Sequence, residues 1–170
     1  MERVVFTDGS CVGNGSKRAI GGTGVYFGPG NALNQSSRHE GTLVLAGHPS
    51  LRVTNQTMEL LAAVIALRVV VVSKMSDTLT WVILTDSEYM INCMGTWIKG
   101  WEKNGFKNKF GQPVKNISLL KELRQLQLST RARFEHVPAH RGAPESSSVN
   151  DVMRHAGNAA ADALARSSSK

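Results

Sequence analysis

The stretch Leu79-Thr80-Trp81-Val82-Ile83-Leu84-Thr85-Asp86-Ser87 decides the fold. Residues 79–85 form a continuous apolar run, the pattern of a central strand covered on both faces, and the run halts on a carboxylate. Before it, Met58, Leu61, Ala62, Ile65, Val69 and Val72 recur at helical spacing behind Thr54 or Asn55, either of which can cap a helix. The β-branched residues 69–72 pull toward strand, so the helix is expected to end near Ser73. Further upstream, residues 3–7 read as a strand ending at Asp8-Gly9-Ser10, residues 22–27 as a second strand, and residues 42–47 as a third beyond the polar stretch 31–41. Three consecutive strands split by turn signals predict an antiparallel meander. Downstream, Ser87 opens a helix to about Trp97, and residues 117–128 give another. Residues 131–137 form a fifth strand, and 156–167 a final alanine-rich helix. The order predicts one α/β domain with helices packed on a mixed sheet.

Composition agrees with that reading. At 170 residues, 41% hydrophobic and 19% charged, the chain can bury a full core without staples and is not globally disordered. The apolar runs 60–67 and 69–72, split by Arg68, fall short of the ~20 residues a membrane span needs, so no membrane partner is expected. Met1-Glu2-Arg3 leads directly into strand-like sequence, with no signal or transit peptide expected. Two cysteines, Cys11 and Cys93, support neither a disulfide framework nor a four-cysteine zinc site, which points to a reducing intracellular compartment.

The net charge of +7 favours a polyanionic partner. Between Lys99 and Arg124 there are seven bases against two acids, interleaved with Trp97, Trp101, Phe106 and Phe110. Bases with aromatics make a surface that grips phosphates and stacks on sugars or bases; a solvated loop over two core tryptophans is the plainer alternative. The acids are few, and their places matter. Asp8 and Asp86 each follow an apolar run and precede a small residue, and Glu59 sits early in the intervening helix. Gathered carboxylates repel one another, and Mg²⁺ ions relieve that repulsion.

Phe6-Thr7-Asp8-Gly9-Ser10-Cys11, Thr54-Asn55-Gln56-Thr57-Met58-Glu59, Thr85-Asp86-Ser87, Val137-Pro138-Ala139-His140 and Gly157-Asn158-Ala159-Ala160-Ala161-Asp162 resemble, in order, the motifs of type 1 ribonucleases H. Trp97–Lys107 resembles the family's basic protrusion, and residues 24–30 resemble its eukaryotic branch more than its bacterial one. The resemblance implies a ribonuclease H-like fold: a five-stranded mixed sheet, an antiparallel βββ meander followed by parallel strands, with helices on both faces. Residues 1–170 would be a single catalytic domain with a protrusion at about 97–116.

By the same resemblance, the activity is endonucleolytic cleavage of the RNA strand of RNA/DNA hybrids, giving 5′-phosphate and 3′-hydroxyl ends. Asp8, Glu59, Asp86 and Asp162 would hold two Mg²⁺ ions, with Mn²⁺ able to substitute, and His140 would move protons. Cys11, Asn14, Asn55, Gln56 and Glu88 match positions that contact the RNA strand. Arg52, Thr54 and Asn116 match a phosphate pocket for the DNA strand, and Trp97, Trp101 and Lys109 its channel. A monomer is implied, in the nucleus or mitochondrion of a eukaryote or the cytoplasm of a bacterium. Two departures stand out. Ala159 occupies a position where the family commonly has glutamate. His140 and Asp162 are also about twice as far apart as in the family, so residues 141–155 read as an inserted loop, expected to move as a flap beside the metal site. His140 is favoured over His155 because it directly follows strand five in a Val-Pro-x-His pattern.

Overall fold

A computed structural model describes residues 2–75, 79–139 and 148–170. The central strand is β1 (Glu2–Val12), flanked by β2 (Ile20–Tyr26), then β3 (Gln35–Glu40). A small separate hairpin pairs β4 (Thr42–Leu43) with β5 (Leu51–Arg52), before α1 (Asn55–Val72) and β6 (Thr80–Thr85). Next come α2 (Glu88–Ile91), a π-helical turn (Asn92–Trp97) and α3 (Ile98–Asn104), then α4 (Ile117–Thr130), β7 (Arg133–His136) and α5 (Val149–Ser168). The main sheet has the order β3-β2-β1-β6-β7. It is antiparallel on the β3 side of β1 and parallel on the β6 side, so the expected mixed five-stranded sheet is present.

Period-two alternation along the central strands divides the core between two faces. Val5 and Ile83 join the large cluster built on α1 and α4, whereas Phe6, Val82 and Leu84 meet Val137 and Ala161 under α5. Helices therefore cover both faces. α1 is apolar around most of its circumference because the sheet takes one side and α4 the other. By length and composition it would suffice to cross a membrane, unlike the separate runs read from sequence, and here it is the buried core helix. Thr54, rather than Asn55, caps it: the Thr54 hydroxyl accepts from Thr57 N–H at 3.1 Å, and the Thr57 hydroxyl accepts from Thr54 N–H at 2.8 Å. The valines 69–72 stay helical, with Ser73 as the C-cap.

Four sequence expectations are corrected. β1 does not end at Asp8; it runs on to Val12 against β2. The third sheet strand is Gln35–Glu40, inside the stretch read as polar loop, and residues 42–47 supply only the short hairpin strand β4. Its inward side chains are polar and satisfied, with Ser37 bonded to both Thr23 and His39, so no hydrophobic alternation marks it. The helix opened by Ser87 continues through the π turn and α3 to Asn104. Finally, α5 begins at Val149, where Ser148 and Asp151 form a capping box, so Ser148–His155 is mostly the start of a helix and not a flap. His140 and the rest of the expected loop, residues 141–147, lie outside the described residues.

Two glycines set the depth at which α5 lies on the sheet. A Cβ at Gly22 would overlap the Ala165 carbonyl, and one at Gly24 would overlap that of Ala161. The helix backbone therefore rests directly on β2. Gly24→Ala should destabilise the protein by about 1–3 kcal/mol through overpacking. Gly100→Ala, on α3 with open space around it, should be neutral or slightly stabilising. Urea unfolding of both variants checks this, and equal effects would contradict it.

Candidate active site

The site follows from the register of the parallel strands. β1 pairs with β6 from Glu2↔Thr80 to Phe6↔Leu84 and no further, so Asp8 and Asp86 each lie two residues past the last pair and stand level with one another. Pairing with β6 ceases there while pairing with β2 continues, which opens a crevice at the carboxyl ends of the parallel strands. Gly9 admits the third partner: a Cβ there would overlap the Met58 and Glu59 backbone, so only glycine lets the first turns of α1 sit on β1. One carboxylate oxygen each from Asp8, Glu59 and Asp86 then falls within 4.8 Å of the other two.

The fourth acid comes from α5. Asp162 reaches the Asp8 carboxyl, and its Oδ1 accepts from Arg166 Nε at 3.1 Å. Asp86 Oδ2 accepts from Asn158 Nδ2 at 3.2 Å, and Asp8 Oδ1 accepts from the Gly9 N–H at 3.0 Å. An open cavity of about 490 Å³ lies over these groups, lined also by Cys11, Asn55, Ala139 and Lys170.

Burial, reinforced by the charge of Asp86, pushes the Asp8 carboxyl up to about 8. Burial, with the charges of Asp8 and Asp86, holds Glu59 well above the ordinary carboxylate range. Glu59 Oε2 is buried without a hydrogen-bond partner among the described residues. Crowded, desolvated carboxylates with an unmatched oxygen fit hard divalent cations, which prefer oxygen ligands; no thiolate joins the cluster.

The remaining sequence candidates fall into two groups. Near the carboxylates, Asn14 Oδ1 accepts from Asn55 N–H at 2.7 Å, tying the β1–β2 turn to the start of α1. Gln56 keeps its Oε1 buried and unpartnered among the described residues, and Glu88 is exposed at the first position of α2. Arg52 donates to the Gly15 carbonyl at 2.8 Å, and the Thr54 hydroxyl is engaged in the α1 cap. Asn116, in the left-handed region at φ 62°, donates to Tyr89 Oη at 3.1 Å. No hydrogen bond among the described residues joins Asn116 to Arg52 or Thr54. Apart from the carboxylates, Trp97 and Trp101, with ring centroids 5.8 Å apart, line a second cavity of about 1020 Å³ together with Lys109 and Lys115.

Asn158, Arg166 and Tyr89 were missed as supporting residues. The first two had a legible signal: residues 158, 162 and 166 follow i, i+4 spacing, which puts them on one helix face. Tyr89 had none, because its partner Asn116 is distant in sequence.

A family model described as RNase H matches residues 1–170. Ribonuclease H1 of Mus musculus is 35% identical over 167 residues, covering 98% of this chain and 50% of that protein. Ribonuclease H of Sodalis glossinidius is 34% identical over 152 residues, covering 89% of this chain and 82% of that protein. The solved structure of LC9-RNase H1, described as a type 1 RNase H with the type 2 active-site motif, superposes with a TM-score of 0.70 at 26% identity, covering 99% of this chain and 72% of that one. The chain spans about half the length of the mammalian relatives it matches.

Asp8 is raised in the folded state above its unfolded value of about 4, so its contribution to stability is complete below that value and is lost as pH rises through about 8. The metal-free protein should therefore show a falling Tm between about pH 5 and pH 8. Mg²⁺, by neutralising the ionised cluster, should raise Tm more at the higher pH than at the lower. An equal Mg²⁺ shift at both would contradict this arrangement.

Proposed function

Since this chain belongs to the ribonuclease H family, we propose that it hydrolyses the RNA strand of RNA/DNA hybrids endonucleolytically, with two divalent cations, leaving 5′-phosphate and 3′-hydroxyl ends. The observation that carries this reading is the convergence of Asp8, Glu59 and Asp86, with Asp162 beside Asp8, at the floor of one open cavity.

Each residue has a task that its position supports. Asp8 bridges the cluster, because its carboxyl contacts both Glu59 of α1 and Asp162 of α5. Asp86 extends from the end of β6, where the Asn158 amide fixes one of its oxygens and leaves the other for a cation. Arg166 holds one oxygen of Asp162, whose carboxyl also meets Asp8. Bound among these carboxylates, Mg²⁺ or Mn²⁺ would supply Lewis-acid charge at the scissile phosphate and lower the pKa of the attacking water. Glu59 stands on the α1 side of the cavity, next to the Asn14–Asn55 pair. Amides there can both donate to and accept from a ribose 2′-hydroxyl, the group that separates RNA from DNA.

The DNA strand then lies toward Trp97, Trp101 and Lys109, where backbone and sugar contacts demand little sequence preference. His140, placed by sequence alone, would move protons to or from the reacting groups. One copy of the chain supplies all of these residues, so a monomer is the acting unit.

Incubation with hybrid, RNA duplex, DNA duplex and single-stranded RNA, with and without Mg²⁺, tests the reading. RNA should be cut only in the hybrid and only with the metal; cleavage of the DNA strand, or full activity in excess chelator, would sink it. Asp86→Asn should abolish turnover while hybrid binding stays within a few fold or tightens, because negative charge near phosphates is removed. Near wild-type turnover in that variant would show the cluster to be misassigned. His140→Ala should lower kcat by roughly 10²-fold, at the low end for an acid–base group, whereas His155→Ala should change it little. The reverse order would move the histidine role to α5.

A further inference from the structure

Outside the carboxylate cavity, the protrusion carries Phe110. It is 77% exposed, and together with Trp97 it completes the set of largely exposed aromatic rings among the described residues. In sequence it is one of the aromatics interleaved with the protrusion's bases, but it does not line the cavity beside Trp97 and Trp101. Phe106, four residues earlier, behaves differently: it is half-buried, 6.4 Å from the Trp101 ring, with Lys121 Nζ 5.2 Å from its centroid.

Phe110 is held outward by a built turn. Asn108 Oδ1 accepts from the N–H groups of Phe110 (2.9 Å) and Gln112 (3.1 Å). Asn108 N–H donates to the Gln112 carbonyl at 2.7 Å, and Gly111 N–H to the Asn108 carbonyl at 3.0 Å. Gly111 takes the left-handed φ of +75° that closes the turn, and an antiparallel bridge between Lys107 and Pro113 clamps its base. Ordering a bare aromatic in water gains nothing for folding. Lys109 Nζ stands 5.0 Å from the ring centroid, a cation–π contact that orients the ring and leaves its other face open. Lys99, Lys103, Lys107 and Lys109 are exposed and form no ion pair among the described residues, so the surroundings are electropositive and unneutralised.

We propose that Phe110 is a stacking site for an unpaired nucleotide of the DNA strand where it continues beyond the hybrid, next to the cavity that holds the paired part of that strand. The chemistry selects this ligand. The lysines ask for a polyanion, and the open ring face asks for a second planar π system. Inside a duplex every base face is covered by its neighbours, so only an unpaired or terminal base can meet the ring. Lys109, lining the cavity and touching Phe110, joins the two sites. The inference rests on the proposed hybrid-cleaving function and adds a preference for hybrid flanked by single-stranded DNA.

The test measures binding in chelator by fluorescence anisotropy, using a blunt hybrid and the same hybrid with a DNA or an RNA overhang of about five nucleotides at either end. Wild type should bind one DNA-overhang hybrid roughly fivefold or more tightly than the blunt one, the lower end for loss of one aromatic–base stack. Phe110→Ala and Phe110→Leu should lose that preference while keeping blunt-hybrid affinity and the salt dependence of binding; Phe110→Trp should retain it. The inference is overturned if wild type shows no preference, if Phe110→Ala preserves it, if Leu serves as well as Phe, or if an RNA overhang is favoured equally. Cleavage of the blunt hybrid by wild type in Mg²⁺, measured alongside, separates the readings. Cleavage without overhang preference removes only the Phe110 site, whereas absence of hybrid cleavage removes the functional reading as well.

Discussion

The structure depends on helix backbones lying directly against strand backbones. Gly9 lets α1 sit on β1, and Gly22 and Gly24 let α5 sit on β2, in each case where a single Cβ would overlap main-chain atoms. With side chains in those places both helices would stand off from the sheet. Glu59 comes from α1 and Asp162 from α5, so such a displacement would draw two of the four acids away from the two that the strands supply. The contact also runs the other way on α5, where Gly157 accommodates the Phe6 ring. Packing at backbone level thus sets the positions of the charged groups.

That packing creates an electrostatic conflict at the same place. Asp8, Glu59 and Asp86 are brought within 4.8 Å of each other, and the burial of Asp8 and Glu59 raises both carboxyls together. A protein without cations would avoid the arrangement, because burying like charges costs more than most single interactions return. Asn158 and Arg166 relieve only part of it, each contacting one carboxylate oxygen. The Glu59 oxygen that lacks a partner among the described residues marks where compensation is still needed.

The acids and the electropositive aromatic surface are kept apart in the fold. The carboxylates belong to the sheet and the two helices laid on it, whereas Lys99, Lys103, Lys107, Lys109 and the exposed rings of Trp97 and Phe110 belong to the end of the π turn, α3 and the loop that follows. That segment joins the core through Ile98, Val114 and Asn116, which are buried. Its outer face is consequently free to carry charge without disturbing the packing that holds the acids.

The sequence by itself determined the elements whose burial leaves a pattern. The run 79–85 predicted the interior strand β6 because both of its faces are covered, and the stripe from Met58 to Val72 predicted α1. The acids were legible because Asp8 and Asp86 interrupt apolar segments. Only the tertiary structure decided what depends on partners distant in sequence. β3 escaped notice because its inward side chains are hydrogen-bonded rather than apolar. β1 outran its expected end because β2 supplies pairing that its own Gly9-Ser10 does not advertise. The first turns of α5 carry Val149, Val152 and Met153 exposed, so no core-facing stripe announced them. The level placement of Asp8 and Asp86, and the hold of Asn158 on Asp86, come from strand register and helix depth, which are set by long-range backbone contact and not by any local run of residues.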